Sequence, residues 1–296
     1  MIQQITLTSN AGRGSVVMKY GDRRDYWLDD VDWGQAEGSH NQYSYYNQIG
    51  ASIVSTAVGT RDIQITGYVL EDGQDTYRSR LDFLNTFISP LEDYALYYGD
   101  KKIEFRPDRS ITWSREYKTN NLKGRKFIIQ GTAPSPLFEG AENLIGNFDH
   151  LAKAFKFPHD FGSSAAFAFG LTTETYTTTI DNTGGFDTGF TMEITFTATV
   201  TNPKIYNTTT GKYLGIDYVF QSGDILTVCT VSGKKRMTLQ SHTGETVNMI
   251  RYRNVGMSWF QLQPGSNNLS LSCDDASELG GMRVTVYYTP LYQEVE

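Results

Sequence analysis

The sequence predicts a mainly β protein of two domains, and three observations carry that reading. Short alternating runs of apolar and polar residues recur between turn signals along most of the chain. Tyr (19) and Phe (16) are numerous and Thr is abundant, which suits pleated, half-buried surfaces. Only one segment switches clearly to a helical period. At 296 residues the chain is long enough for two hydrophobic cores.

The elements follow in order. Alternation at 4–8 and 15–20 predicts two opening strands. Residues 34–55 are rich in Gly, Ser, Asn, Gln and Tyr without a clear period. They predict a long loop, either a mobile surface segment or one ordered by a neighbouring chain. Its tyrosines, Tyr43, Tyr45 and Tyr46, offer contact area to such a neighbour. Residues 61–69 alternate again. From Thr76 the period becomes helical and sets Tyr77, Leu81, Leu84 and Ile88 on one face. Asp75 or Thr76 suits the helix start, and Pro90 stops it. A hairpin is predicted at 94–98 and 102–106 about Gly99-Asp100, then a strand at 125–131. That strand runs into Pro134-Ser135-Pro136, and two prolines so close cannot continue a central strand, so a boundary falls there.

Residues 139–176 are less regular. Phe148, Leu151, Ala152 and Phe155 fit one face of a short helix, and 165–171 are small and apolar. Beyond 176 the alternation returns. Strands are predicted at 176–180, 190–200, 213–214, 224–231, 236–240, 249–252, 259–262, 269–273 and 282–288. A Pro264-Gly265-Ser266-Asn267 turn joins two of them. Short strands broken this often indicate a β-sandwich or jelly roll.

Composition excludes several function classes. The net charge is −7, with 16 basic and 18 acidic residues up to residue 140 and 10 and 15 after it. Neither half has the positive surface of a dedicated nucleic-acid binder. An acidic surface does suit a channel past which nucleic acid moves without sticking. Two cysteines, Cys229 and Cys273, are no disulfide scaffold and read as reduced, partly buried thiols. The alternating N-terminus is unlike a signal peptide, and no apolar run reaches the length of a membrane span. The chain is therefore expected to be made in a cytoplasm.

No catalytic pattern stands out. His40, His150, His159 and His242 make no metal-ligand spacing. There is no nucleophile elbow, phosphate-binding glycine loop or zinc-protease helix. The acid pairs Asp29-Asp30 and Asp274-Asp275 read as solvated turn residues. Lys234-Lys235-Arg236 reads as an exposed hairpin tip, or as a contact for phosphate or an acidic partner. Trp259 reads as a core residue of the sandwich, or as part of a sugar-stacking platform. Neither an enzyme nor a bound cofactor is expected.

Several motifs, in their order and spacing, resemble one family. The first half carries Arg61-x-Ile63-x-Ile65-x-Gly67, one amphipathic helix ending near Pro90, and a Tyr-Gly-Asp hairpin. It closes on Phe127-Ile128-Ile129 and Pro134-x-Pro136-x-Phe138. The second half carries Asn202-Pro203-x-Ile205-x-Asn207-x-Thr209-x-Gly211 and Trp259-Phe260-x-Leu262-x-Pro264-Gly265-x-Asn267-x-Leu269. This layout resembles the distal tail proteins (Dit) of bacteriophages with long, non-contractile tails. The resemblance implies a tail-tube-like β-sandwich or split barrel with one α-helix over 1–138, a linking segment over 139–175, and a galectin-like β-sandwich (jelly roll) over 176–296. It also implies a homohexameric ring at the tail tip of the virion. Such a ring joins the tail tube protein to a tail-associated hub protein, with the tape-measure and receptor-binding proteins as further partners. DNA would pass through without specific binding, and Asp29, Asp30 and Asp32 are candidates for acids lining the channel. The competing reading is a carbohydrate-binding module or adhesin for a host wall polymer.

Overall fold

The computed structural model describes residues 4–21, 26–47, 49–70, 74–114, 124–140, 144–152, 171–174 and 176–295. The chain divides into two compact units, residues 1–141 with 292–296, and residues 142–291.

In the first unit, β1 (Gln4–Ser9), β2 (Ser15–Lys19) and β3 (Tyr26–Asp32) precede a separate hairpin of β4 (Gly38–Tyr43) and β5 (Ser52–Val58). Then follow β6 (Arg61–Leu70), α1 (Gln74–Phe87), β7 (Tyr94–Tyr98), β8 (Lys101–Pro107), β9 (Thr112–Trp113), β10 (Gly124–Ala133) and β11 (Phe138–Gly140). Neighbours run β8–β7–β1–β2–β3–β6–β10, and β10 returns to β8 at Gly131↔Pro107 and Thr132↔Arg106. Seven strands thus close into a barrel. Gly131 permits the closure, because a Cβ there would meet the Arg106 carbonyl oxygen at 2.5 Å. The inward residues of alternating strands, among them Leu7, Met18, Ile65, Phe105, Phe127 and Ile129, form one core. Leu84, Phe87 and Ile88 of the α1 segment are buried in it, and Tyr77 and Leu81 pack on it half-buried. The helical face expected from the period is the face that packs; the expected Asp75 cap lies outside the described side chains.

The second unit holds β12 (Leu144–Asn147), β13 (Asp149–Ala152), β14 (Leu171–Glu174), β15 (Thr177–Asn182), β16 (Phe190–Phe196) and β17 (Val200–Thr201). It continues with β18 (Lys204–Asn207), β19 (Lys212–Gly215), β20 (Val219–Phe220), β21 (Ile225–Cys229) and β22 (Arg236–Gln240). The last strands are β23 (Thr246–Asn248), β24 (Gly265–Ser272) and β25 (Met282–Tyr288). A six-stranded sheet, β12–β25–β16–β21–β22–β23, and a four-stranded sheet, β15–β24–β18–β19, share one core, which makes a β-sandwich. Met192, Ile194, Leu226 and Val284 come from the first sheet, and Ile205, Leu269 and Leu271 from the second.

Several sequence expectations are corrected. Residues 34–55 are no structureless loop; they hold β4 and most of β5. Every residue of β4, and all of β5 but Ser52, is exposed, so neither strand shows the alternation that one buried face imposes. Phe148, Leu151 and Ala152 lie on extended chain in and beside β12 and β13, not on a helix, and Phe155 lies outside the described residues. Residues 249–252 form a 3-10 turn, Ile250–Tyr252, started by Ile250 N–H donating to Asn248 Oδ1 at 3.0 Å. Residues 259–262 form no strand; Leu262 makes an isolated bridge with Thr188 and accepts a hydrogen bond from the Asn182 side chain at the end of β15. The linking segment is shorter than 139–175, since β11 pairs on β8 at Glu139↔Lys102 and β12 pairs on β25.

The C-terminus also departs from the division at 176–296, because residues 292–296 belong to the first unit. The last strand, β26 (Leu291–Tyr292), lies beside β11 in the first unit's sheet. Arg61, 2% exposed, donates from Nη2 to the Gln293 carbonyl at 2.6 Å and lies over the Phe138 ring at 4.7 Å. Lys101 donates to the Glu294 carbonyl at 3.2 Å, and Tyr292 and Val295 pack against the core.

Candidate assembly surface

The β4–β5 hairpin is an arm, separate from the barrel sheet. Its strands of six and seven residues reach about 20 Å at ordinary strand rise. Its register slips between Asn41 and Gln42, which face Ser55 and Ile53, so Val54 is an extra residue. The pair His40–Thr56 is tied by a 2.9 Å hydrogen bond between Nδ1 and Oγ1. At the root, Gly34 takes φ 59, and a Cβ there would run into the Asp62 carbonyl oxygen. Gly59 N–H donates to the Glu37 carbonyl at 2.8 Å and closes the root from the other side.

The arm concentrates exposed apolar area. Tyr46 and Ile49 near the tip are fully exposed, at 98% and 103%, and Ile53, Val54 and Val58 exceed half exposure. Tyr43 and Tyr45 pack edge to face with centroids 5.1 Å apart. A two-stranded ribbon alone in water is marginally stable, and this one buries neither face. Of the three expected tyrosines, the structure brings together Tyr43 at the end of β4 and Tyr45 in the tip, and leaves Tyr46 fully exposed beside them in sequence.

Asp29, Asp30 and Asp32 lie on β3, a strand that the sequence reading passed over. The register of β3 on β6 shifts between Leu28 and Asp30, so the alternation breaks where those acids stand. All three are exposed, while Leu28 before them and Val31 among them are buried. They are not equivalent. Asp29 Oδ2 pairs with Lys126 Nζ at 3.2 Å, and Asp32 Oδ1 accepts the Gly34 N–H at 2.9 Å. Asp30 makes no such contact among the described residues. Lys126 is held above its ordinary value: burial opposes this, and the Asp29 and Tyr68 contacts outweigh it.

The motif residues of the second unit are spent on its own fold. Asn207 and Asn267 are completely buried, and Asn182 nearly so. Asn182 Nδ2 donates to the Phe186 and Leu262 carbonyls, and its Oδ1 accepts Gly184 N–H. Asn267 braces the Pro264-Gly265 turn: Oδ1 accepts Gln263 N–H at 3.0 Å and Nδ2 donates to the Gln263 and Gly265 carbonyls. Gly265 supplies the positive φ, 82 degrees. Trp259 is half-buried against the sandwich core.

The residues that could carry chemistry are scattered. Among the described residues no three His, Cys, Asp or Glu side chains stand as a metal site. His242 Nδ1 meets Asp224 Oδ1 at 2.9 Å, far along the chain from His40 on the arm; His159 lies outside the described residues. Asp274 accepts from Asn202, and Asp275 accepts from Ser277 N–H at the start of a 3-10 segment. A gap inside the sandwich, lined by Met192, Ile194, Ile205, Leu226, Val228 and Met237 with their neighbours, holds no titratable group. Cys229 is buried, and burial together with Glu278 pushes the Cys273 thiol above its ordinary value. No described helix is long and apolar enough to cross a membrane.

Residues 183–292 match the family model of the siphovirus-type tail component, C-terminal domain. Residues 19–120 match that of the phage tail protein RIFT-related domain. No curated protein matches the chain in sequence. Among solved structures, the Dit protein of phage SPP1 superposes with a TM-score of 0.65 at 15% identity, over 97% of this chain and 98% of that one. A chain of the phage P2 baseplate in its activated conformation with Ca superposes at 0.52, with 9% identity and 100% of both chains covered. The corresponding baseplate structure with Sr gives 0.52, 9% and 99% of each. At these identities the structural likeness is one of fold.

Proposed function

Because the chain belongs to the siphophage distal tail (Dit) family, a structural component of the virion tail, we propose that it forms a homohexameric ring at the tail tip. The first unit, residues 1–138 with the C-terminal segment, builds the ring, and the galectin-like sandwich from about 176 onward stands as a separate module. The ring joins the tail tube protein to a tail-associated hub protein, with the tape-measure and receptor-binding proteins as further neighbours. It is made in the host cytoplasm, takes no cofactor, catalyses nothing and lets DNA pass unbound.

The observation that carries this reading is the arm. A ribbon with Tyr43, Tyr45, Tyr46, Ile49 and Ile53 exposed is unsatisfied in a lone subunit. A contact made by a projecting arm on a different surface of the next copy is heterologous, and such contacts close into rings. In this ring Asp29, Asp30 and Asp32 face the DNA path, where like charge leaves phosphates no cation to stick to. The carbohydrate-module reading lacks a comparable feature, since the motif asparagines are buried and Trp259 is half-covered by its own core.

Light scattering on the purified chain, with hydrogen exchange of 34–55 in free and assembled states, tests the proposal. The expected result is an oligomer at high concentration, with protection of the arm gained on assembly. A monomer at every concentration, absent from purified virions, overturns it.

A further inference from the structure

One end of the six-stranded sheet in the second unit gathers five cations. Arg236 opens β22 opposite Cys229, and Lys234 and Lys235 precede it in a turn where Gly233 takes φ 76. Met249 N–H donates to the Met237 carbonyl at 3.0 Å, so the chain leaving β23 turns beside Arg236. Arg251 and Arg253 stand in that turn, Arg253 fixed by its bridge to Ile216. All five side chains belong to exposed residues, and none makes an ion pair among the described residues.

The surroundings leave their charge available. Arg251 lies 4.7 Å from the Tyr252 ring centroid and spends one Nη2 bond, 2.9 Å, on its hydroxyl. Its guanidinium keeps other donors free. Asp217, whose N–H donates to the Tyr252 carbonyl at 2.7 Å, has its carboxylate engaged by Asn254 Nδ2 at 2.6 Å. The chain as a whole is acidic, at −7, so the strip runs against the overall balance. Among the described residues of 231–255, Val255 is the one large apolar side chain that is exposed. Protein interfaces are usually centred on aromatic and apolar anchors with few lysines, and this strip has no such centre. Polyelectrolyte binding needs charge density without shape, and arginine forks suit phosphate oxygens.

We infer that Lys234, Lys235, Arg236, Arg251 and Arg253 form a binding site for a linear phosphate-bearing polymer, held along its backbone by charge. The inference is independent of the ring, because it concerns the second unit in any oligomeric state.

The test is fluorescence anisotropy of labelled oligo(glycerol phosphate) titrated with the full chain over a range of salt. Binding is expected at low salt, with log K falling against log salt at a slope of about −3, as for four or five neutralised phosphates on a flexible chain. The variant Lys234→Gln/Lys235→Gln/Arg236→Gln should bind at least ~10-fold more weakly and lose about 2 from the slope. Arg251→Gln/Arg253→Gln should lose a smaller share, and Lys19→Gln in the first unit should change nothing. Hydrogen exchange across β21 and β22 checks that the variants fold. The proposal is overturned if the wild-type chain does not bind at low salt, or if both variants bind as it does. Equal affinity for polyglutamate of matched length would point to an acidic protein instead. Binding confined to phosphatidylglycerol vesicles would point to a lipid surface. Either outcome also overturns it.

Discussion

The Asn207 side-chain amide donates to Asn267 Oδ1 at 3.3 Å, between two residues with no solvent exposure. The pair joins the two turn motifs that make the second half recognisable. Asn207 Oδ1 also accepts Thr210 N–H at 3.2 Å, so each asparagine holds its own turn while touching the other.

Removing this pair should unfold the sandwich locally. Asn267→Leu leaves Gln263 N–H, the Gln263 and Gly265 carbonyls and the Asn207 amide without their partner. At ~1–3 kcal/mol for each buried orphan, partly relieved by water, a loss of about 3 kcal/mol is expected. Asn268→Ala, next door but exposed and bonded to Thr179, should cost under ~1 kcal/mol. Urea unfolding of both variants decides; equal losses would contradict the assignment.

The C-terminal segment is expected to act as a clasp on the first unit. Arg61 is buried under it with Nη2 on the Gln293 carbonyl, and burial lowers its pKa while Glu294 opposes the drop. Its Nε has no partner, so the guanidinium depends on the bonds it does make. Deleting 292–296 strands a buried cation and uncovers the part of the core against which Tyr292 and Val295 pack. Hydrogen exchange should then rise in β6 and β11 and stay unchanged in β16 and β21. Unchanged exchange in β6 would remove the clasp.

The fold was legible wherever one face of an element is buried. The α1 face of Tyr77, Leu81, Leu84 and Ile88, the β7–β8 hairpin and the inward residues of β6, β10, β16 and β25 all follow from periodicity, because burial writes the pattern. It failed for physical reasons at β3, where a bulge between Leu28 and Asp30 breaks the alternation, and on the arm, where neither face is buried. The Asn41–Gln42 slip removed what alternation the arm had left. Closure of the barrel at Gly131 and the return of 292–296 depend on contacts between distant parts of the chain, which no local window contains. Of the candidate site, the tyrosines were legible as residue types out of place in a polar stretch, whereas the basic strip was half legible: Lys234-Lys235-Arg236 is a run, but Arg251 and Arg253 join it only through the sheet.

A pH dependence follows from Asp224, which is 3% exposed. Burial pushes its carboxyl up, but the Gln221 and His242 N–H groups and the His242 imidazole outweigh burial and hold it below the ordinary 3.8. A carboxylate held low stabilises the fold fully above its unfolded value, and that contribution fades as pH falls through the folded value. The wild-type second unit should therefore lose this support below about pH 4. Asp224→Asn should be less stable than wild type at neutral pH, and the gap should shrink at about pH 3. Urea midpoints at both pH values measure it; a gap of constant size would contradict the role.

The channel acids differ in how cleanly they can be tested. Reversing Asp29 sets a second cation against Lys126, and reversing Asp32 removes the acceptor of Gly34 N–H at the arm root, so both would disturb the fold for reasons unrelated to DNA. Asp30 is exposed and has no such contact, so Asp30→Lys should leave stability within ~0.5 kcal/mol and assembly intact. In a ring the change repeats in every copy and puts a circle of cations where like charge had kept phosphates moving. Phage carrying Asp30→Lys should adsorb normally and deliver DNA more slowly, with the delay shortened by added salt. Delivery at the wild-type rate, from tails that contain the variant protein, would place Asp30 away from the DNA path.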